Sequence, residues 1–187
     1  KIIDRQKPPA NISQENYRPY ATGRDDEVPV IPAFGEGYRF NITGLFHDET
    51  GFPTADPELT KKELLRIHKK VAAGYDEIKG IEIDLPRNAE LAVLSYGASF
   101  RSAAQAAHEA RVGTVKLTTL FPFPDEEIKE LAEKVKTIIV VEMNLGQLIH
   151  EVERAAAGRA RVIGVNIANG LLITTEVIAR KIKECQN

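Results

Sequence analysis

The sequence predicts an α/β protein: a three-layer α/β/α domain over residues 80–187, built on a five-strand, mostly parallel sheet with an antiparallel outer strand, and preceded by an extended arm over 1–56 and a connecting helix over 57–79. Three observations predict it. From Gly80 onward, short apolar runs alternate with stripes of apolar residues three or four apart, so strand and helix take turns along the chain. The connections are short, which makes the crossovers right-handed and the sheet largely parallel. The first 55 residues instead carry Pro8, Pro9, Pro19, Pro29, Pro32 and Pro53, with Gly23, Gly35, Gly37, Gly44 and Gly51, and no periodic pattern survives them.

The arm is not a solvated tail. Tyr17, Tyr20, Phe34, Tyr38, Phe40, Phe46 and Phe52 supply anchors that a linker in water would not need. Too broken to make a compact domain alone, the stretch reads as an ordered arm lying on another surface. Its opening Asp4-Arg5-Gln6-Lys7-Pro8-Pro9 reads as a link between elements, so a further domain upstream is expected. Asp56-Pro57-Glu58 then offers a cap, a proline at the first helical position and an acid in the first turn. Leu64, Ile67, Val71, Tyr75 and Ile78 continue the helical period to about residue 79, with Gly74 as a point where the helix bends or ends.

Ile81-Glu82-Ile83-Asp84-Leu85 alternates apolar with acidic residues, as an edge strand does, whereas Leu91–Leu94 and Ile138–Val141 are continuous apolar runs belonging at the sheet centre. Phe100, Ala103, Ala104 and Ala107 form a helical stripe, and Val115–Leu120 is the next strand, ended by Pro122 and Pro124. Asp125-Glu126-Glu127 places acid at a helix N-terminus, with Ile128, Leu131, Ala132 and Val135 as its buried face. Leu145, Leu148, Ile149, Val152 and Ala156 make a further amphipathic helix, Arg161–Val165 a strand, and Thr174 caps a last helix carrying Ile178 and Ile182.

Composition narrows the function classes. With 25 basic against 27 acidic residues the net charge is −2, so nothing pulls the chain toward nucleic acid or an anionic membrane. No apolar stretch approaches the ~20 residues that cross a bilayer, and a cytoplasmic protein is expected. Cys185 is the only cysteine, so this chain cannot furnish the four thiolates of an iron–sulfur cluster.

Gly35-Glu36-Gly37 starts like a dinucleotide fingerprint but lacks a third glycine, a preceding strand and a following helix. Gly97-Ala98-Ser99 follows a buried strand and opens a helix; Arg101 stands where a nucleophile elbow needs glycine, which leaves Ser99 as a helix cap or as part of a small-anion site. His47, Asp48 and Glu49 sit side by side in the arm. Adjacent side chains diverge, so an ion pair or an interface contact is favoured over metal ligation, and no metal site is expected. His68, His108 and His150 fall within helices as solvated or capping residues. Glu142-Met143-Asn144-Leu145-Gly146-Gln147-Leu148 lies at the C-terminal end of a central strand, where open α/β sheets place ligand loops. Either Gly97, Ser99, Asn144, Gly146 and Gln147 line a ligand site, or Glu142 is a buried group satisfied by helix N–H donors while Gly146 eases the turn.

Ala89–Gly97, Leu120-Phe121-Pro122-Phe123-Pro124 and Val140–Leu148 together resemble the transketolase C-terminal-like domain of 2-oxoacid:ferredoxin oxidoreductase α subunits. In the arm, Ile3-Asp4-Arg5, Tyr20-Ala21-Thr22-Gly23 and Thr43–Gly51 resemble the segment that links this domain to a pyrimidine-binding domain in 2-oxoglutarate-type members, as its C-terminal part. The resemblance implies oxidative decarboxylation of a 2-oxoacid on thiamine diphosphate, with electrons passing through iron–sulfur clusters to ferredoxin and the acyl group to coenzyme A. It also implies that the glutamate activating the cofactor, the Mg²⁺ and diphosphate site and the clusters lie on other domains or subunits. The partners would be a β subunit carrying the diphosphate-binding domain, further γ or ferredoxin-like subunits, and ferredoxin. This chain would have no catalytic residue, bind no cofactor alone, and serve assembly and interface roles. The alternative is a free-standing regulatory module that binds an anion or nucleotide at the Gly97 and Gly146 loops.

Overall fold

A computed structural model describes residues 4–186. Ile3, at the start of the first arm block, lies outside the described residues. The chain forms two compact units, one ending at Asp76 and the other beginning at Glu77.

The first unit holds the arm together with α1 (Pro57–Ala73). The arm has no strand or helix of its own among its described residues and is tied by side chains reaching across it. Tyr17 is buried, packs at 4.7 Å against the Tyr38 ring and donates its hydroxyl to Val30 O at 2.8 Å. Tyr20 donates to Asn41 O at 2.5 Å, and Arg5 to Pro32 O at 2.9 Å. Two expected anchors do not bury: Phe34 and Phe52 are exposed, and Phe34 stacks on Phe40. α1 starts as the sequence reads, with the Asp56 carboxylate accepting from Leu59 N–H at 2.7 Å. The helix expected to reach residue 79 stops at Ala73. Gly74 closes it, and a separate turn, α2 (Tyr75–Ile78), follows.

The second unit is a three-layer domain. β1 (Ile81–Asp84), β2 (Leu91–Tyr96), β3 (Gly113–Leu117), β4 (Thr137–Glu142) and β5 (Arg161–Asn166) form one sheet in the order β1-β3-β2-β4-β5. β3, β2, β4 and β5 run parallel, and β1 pairs antiparallel with β3 at the edge. The two continuous apolar runs are the central strands β2 and β4. Their side chains alternate between two cores: Ala92, Leu94, Ile138 and Val140 pack beneath α4 (Asp125–Lys134) and α5 (Leu148–Ala156), while Leu91, Val93, Ile139 and Val141 pack beneath α3 (Ser99–Ala110) and α6 (Thr175–Gln186). Ala103, Ala106 and Ala107 of α3 are small, which lets the helix lie close on the sheet and against α6.

Three local expectations move. The strand read as Val115–Leu120 ends at Leu117, because Thr118 and Thr119 N–H both turn to Gly80 O. Ser99 is the first residue of α3 rather than its cap: Ala98 already has helical angles, no side chain caps the helix, and Ser99 is buried. Leu145 belongs to no helix, since α5 begins at Leu148.

Candidate functional site

The sheet order reverses between β2 and β4: the chain leaves β2 to one side for β3, then crosses to β4 on the other. Beyond the C-terminal ends of two such strands lies the crevice where open α/β sheets hold ligands. The loops carrying Gly97 and Gly146 meet here. Asn144 joins them, its Nδ2 donating to the Tyr96 hydroxyl at 3.0 Å while its Oδ1 accepts from Gly146 N–H at 2.8 Å and Gln147 N–H at 3.1 Å. Glu142, the last residue of β4, is fully buried, and its carboxylate accepts from Leu148 N–H at 2.9 Å and Ile149 N–H at 3.1 Å. A negative group thus sits on the positive end of α5. Burial, then the neighbouring Glu142 charge, pushes the Tyr96 phenol above its ordinary value, against the opposing hydrogen bond from Asn144.

This arrangement has a chemical consequence. The N–H groups of four consecutive residues, Gly146 to Ile149, are taken by the chain's own Asn144 and Glu142. An anion arriving at α5 would have to displace the Asn144 amide oxygen from the first two of them and a buried carboxylate from the others. Gly97 (φ +56°) and Gly146 (φ +98°) have left-handed backbones that other residues rarely adopt. Both turn the chain at the ends of β2 and β4. Ser99 and Gln147 flank the crevice, with Ser99 buried and Gln147 exposed.

His47, Asp48 and Glu49 stand in the other unit and build a turn. Asp48 N–H donates to Phe52 O at 2.9 Å, and Thr54 N–H to Phe46 O at 2.9 Å, while the Asp48 carboxylate accepts from Thr50 N–H at 2.9 Å, Thr50 Oγ1 at 2.5 Å and Phe52 N–H at 3.3 Å. The Thr50 hydroxyl and these backbone donors hold the Asp48 carboxyl below the usual carboxylate value. His47 is buried, stacked on Tyr20 at 4.6 Å and 3.1 Å from Thr43 Oγ1 through Nε2. Gly51 (φ +96°) passes so close to Pro19 that a Cβ there would come within 2.8 Å of its ring. Glu49 lines a cavity of about 210 Å³ with Tyr20, Thr22, Lys62 and Glu63. His47 and Asp48 therefore turn their polar atoms into the arm's own structure, and no group of three metal-competent side chains forms among the described residues.

Because the native Asp48 carboxyl is depressed, its contribution is present above the unfolded carboxylate pKa of about 3.9 and lost as pH falls through the lower native value. Asp48→Ala is expected to destabilise the turn by about 1 kcal/mol and to raise amide exchange at Thr50 and Phe52. Hydrogen-exchange mass spectrometry of the 46–54 peptide checks it. Unchanged protection there would show that Gly51 and the backbone pairs hold the turn unaided.

The donor set does not fit the redox groups of a ferredoxin-linked enzyme. One cysteine, Cys185, cannot ligate a cluster, and none of the described acidic or histidine side chains group for a metal. No helix of the described residues is long and apolar enough to cross a membrane.

Residues 89–178 match the family model of the pyruvate:ferredoxin oxidoreductase core domain II. Two 2-oxoglutarate synthase KorA subunits are similar over most of the chain. That of Methanothermobacter thermautotrophicus is 41% identical over 87% of this chain and 44% of its own length, and that of Methanocaldococcus jannaschii 38% identical over 97% and 49%. The chain thus spans about half the length of the curated relatives it matches. Among solved structures, the 2-oxoglutarate:ferredoxin oxidoreductase of Magnetococcus marinus, with 2-oxoglutarate, coenzyme A and succinyl-CoA bound, superposes with a TM-score of 0.75 at 25% identity, covering 98% of this chain and 32% of that one. The arm and the sheet domain are therefore both shared with these enzymes, and the chain belongs to the α-subunit family of the 2-oxoacid:ferredoxin oxidoreductases.

Proposed function

We propose that this chain is the C-terminal portion of the α subunit of a 2-oxoglutarate-type 2-oxoacid:ferredoxin oxidoreductase, and that it serves assembly and rigidity within the complex rather than the chemical step. The observation that carries the reading is similarity to KorA subunits running through the arm as well as the sheet domain, over 97% of the chain in one case. The complete enzyme would decarboxylate 2-oxoglutarate on thiamine diphosphate, pass electrons through iron–sulfur clusters to ferredoxin and transfer the succinyl group to coenzyme A. Thiamine diphosphate, its Mg²⁺ and the clusters would be held by other domains and subunits, among them a β subunit with the diphosphate-binding domain and γ or ferredoxin-like subunits, in the cytoplasm. Within this chain, residues 1–56 would be the linker arm, 57–79 the connection and 80–187 the transketolase C-terminal-like domain, with His47, Asp48 and Glu49 on the arm at an interface. The anion-module alternative is disfavoured by the internal use of the Gly146–Ile149 N–H donors.

The test is the purified complex containing this chain, supplied with coenzyme A and ferredoxin. Ferredoxin reduction should require 2-oxoglutarate and fall at least about ten-fold with pyruvate. A complex that binds thiamine diphosphate yet reduces ferredoxin with no 2-oxoacid would overturn the reading.

A further inference from the structure

The connection between β5 and α6 holds a dipeptide that can react with itself. Of the chain's asparagines, only Asn169 is followed by glycine. Both residues are exposed and lie in a bend outside any strand or helix. Asn169 Oδ1 accepts from Leu171 N–H at 3.1 Å, which closes a turn through the side chain and folds it back over the intervening Gly170 peptide. The carboxamide carbon is thereby kept near the Gly170 nitrogen, and such proximity turns a rare encounter into a standing one. Gly170 has a left-handed backbone (φ +82°), and a Cβ built on it would meet nothing within 4 Å, so no neighbouring group shields that side of the peptide.

The other asparagines are held back from the same reaction. Asn11, Asn16, Asn41, Asn88, Asn144 and Asn166 are each followed by a residue whose side chain crowds the attacking nitrogen. After Asn11, Asn16, Asn88 and Asn166 that nitrogen is also tied, since the N–H groups of Ile12, Tyr17, Ala89 and Ile167 donate to backbone oxygens at 3.3, 2.9, 3.0 and 3.3 Å. In Asn41 and Asn144 the amide that would leave is bound, its Nδ2 donating to Gly51 O at 2.7 Å and to the Tyr96 hydroxyl at 3.0 Å. Asn144 forms the same kind of turn, with Oδ1 accepting from Gly146 N–H at 2.8 Å, so it separates the effect of the turn from that of the glycine. Among the described residues, neither Asn169 Nδ2 nor Gly170 N–H has a hydrogen-bond partner.

We infer that Asn169 is a site of spontaneous deamidation through a cyclic imide closed by Gly170. The Gly170 nitrogen gives up its proton and attacks Asn169 Cγ. The new C–N bond forms as the Cγ–Nδ2 bond breaks, and Nδ2 takes up a proton and leaves as ammonia. During the attack negative charge gathers on Oδ1, where Leu171 N–H already donates. Water then opens the imide at either carbonyl, giving aspartate or isoaspartate, so that water is consumed and ammonia released. Each product puts a negative charge into residues 167–174, which hold no charged side chain. Isoaspartate also adds a carbon to the main chain. Val165 and Ile173 are anchored in the core on either side, so the extra length falls on the loop between them.

The test incubates the purified protein carrying this chain in warm, mildly alkaline buffer. Peptide mapping by mass spectrometry follows the acid form at each asparagine, and an isoaspartyl methyltransferase with a labelled methyl donor reports isoaspartate. Asn169 is expected to convert at least about ten-fold faster than Asn144, with isoaspartate among the products, and Gly170→Ala to slow the conversion by at least about ten-fold. The same protein unfolded in guanidinium should convert at Asn169 no faster than the folded one, because the turn supplies the proximity. Conversion at Asn169 no faster than at Asn144 would overturn the inference. Aspartate without isoaspartate would do so too, since direct hydrolysis bypasses the imide. A folded rate about ten-fold below the unfolded one would also sink it, because the fold would then guard the dipeptide instead of presenting it.

Discussion

Ile138→Ala and Ile139→Ala are each expected to cost the sheet domain about 3 kcal/mol, within the usual range of about 2–5 for truncating a buried isoleucine. The two residues are neighbours on β4, both are fully buried, and they point into different cores. Ile138 packs beneath α4 and α5, Ile139 beneath α3 and α6. In a sheet covered on one face only, one of the pair would be solvent-facing and its truncation would cost less than about 0.5 kcal/mol. Equal losses are therefore the energetic signature of three layers. Urea unfolding measures them, as a lower midpoint with an unchanged slope. For a chain of this length the Tm should fall by about 10 °C for each variant. Their side chains share no core partner, so the double variant should lie within about 0.5 kcal/mol of the sum. A cost below about 1 kcal/mol for either residue would show that one helix layer does not cover β4.

Much of this fold was legible in the sequence, and particular residues show why. Leu91–Leu94 and Ile138–Val141 offer no polar face, so they had to be covered on both sides, and they became β2 at the sheet centre and β4 beside it. Glu82 and Asp84 interrupt an apolar run and mark β1 as the edge. At Leu145 the sequence misleads because side chains compete for backbone donors. Leu145 keeps the spacing of Leu148, Ile149 and Val152, yet Asn144 draws the next two N–H groups into a turn and Glu142 takes those of Leu148 and Ile149, so the helix starts three residues late. Ser99 has the identity of a cap, but Gly97 makes the turn and Ala98 is already helical.

Glu142 should be the most sensitive polar residue of the domain, and Glu142→Ala is expected to cost about 3 kcal/mol. The substitution strips the acceptor from two donors at a buried helix start, and each buried group left unsatisfied costs about 1–3 kcal/mol. It also removes a favourable charge from the N-terminus of α5. Glu142→Gln keeps one acceptor oxygen but turns an amide N–H₂ toward a second donor, so about half of the loss should remain. Denaturant unfolding should therefore order the proteins as native, Gln, Ala. Exchange of the Leu148 and Ile149 amides should rise by about 100-fold in the alanine variant, the kinetic equivalent of 3 kcal/mol where opening is local. Native-like exchange at Leu148 and Ile149 in Glu142→Ala would mean that Asn144 and core packing fix the loop by themselves, with the buried carboxylate a passenger.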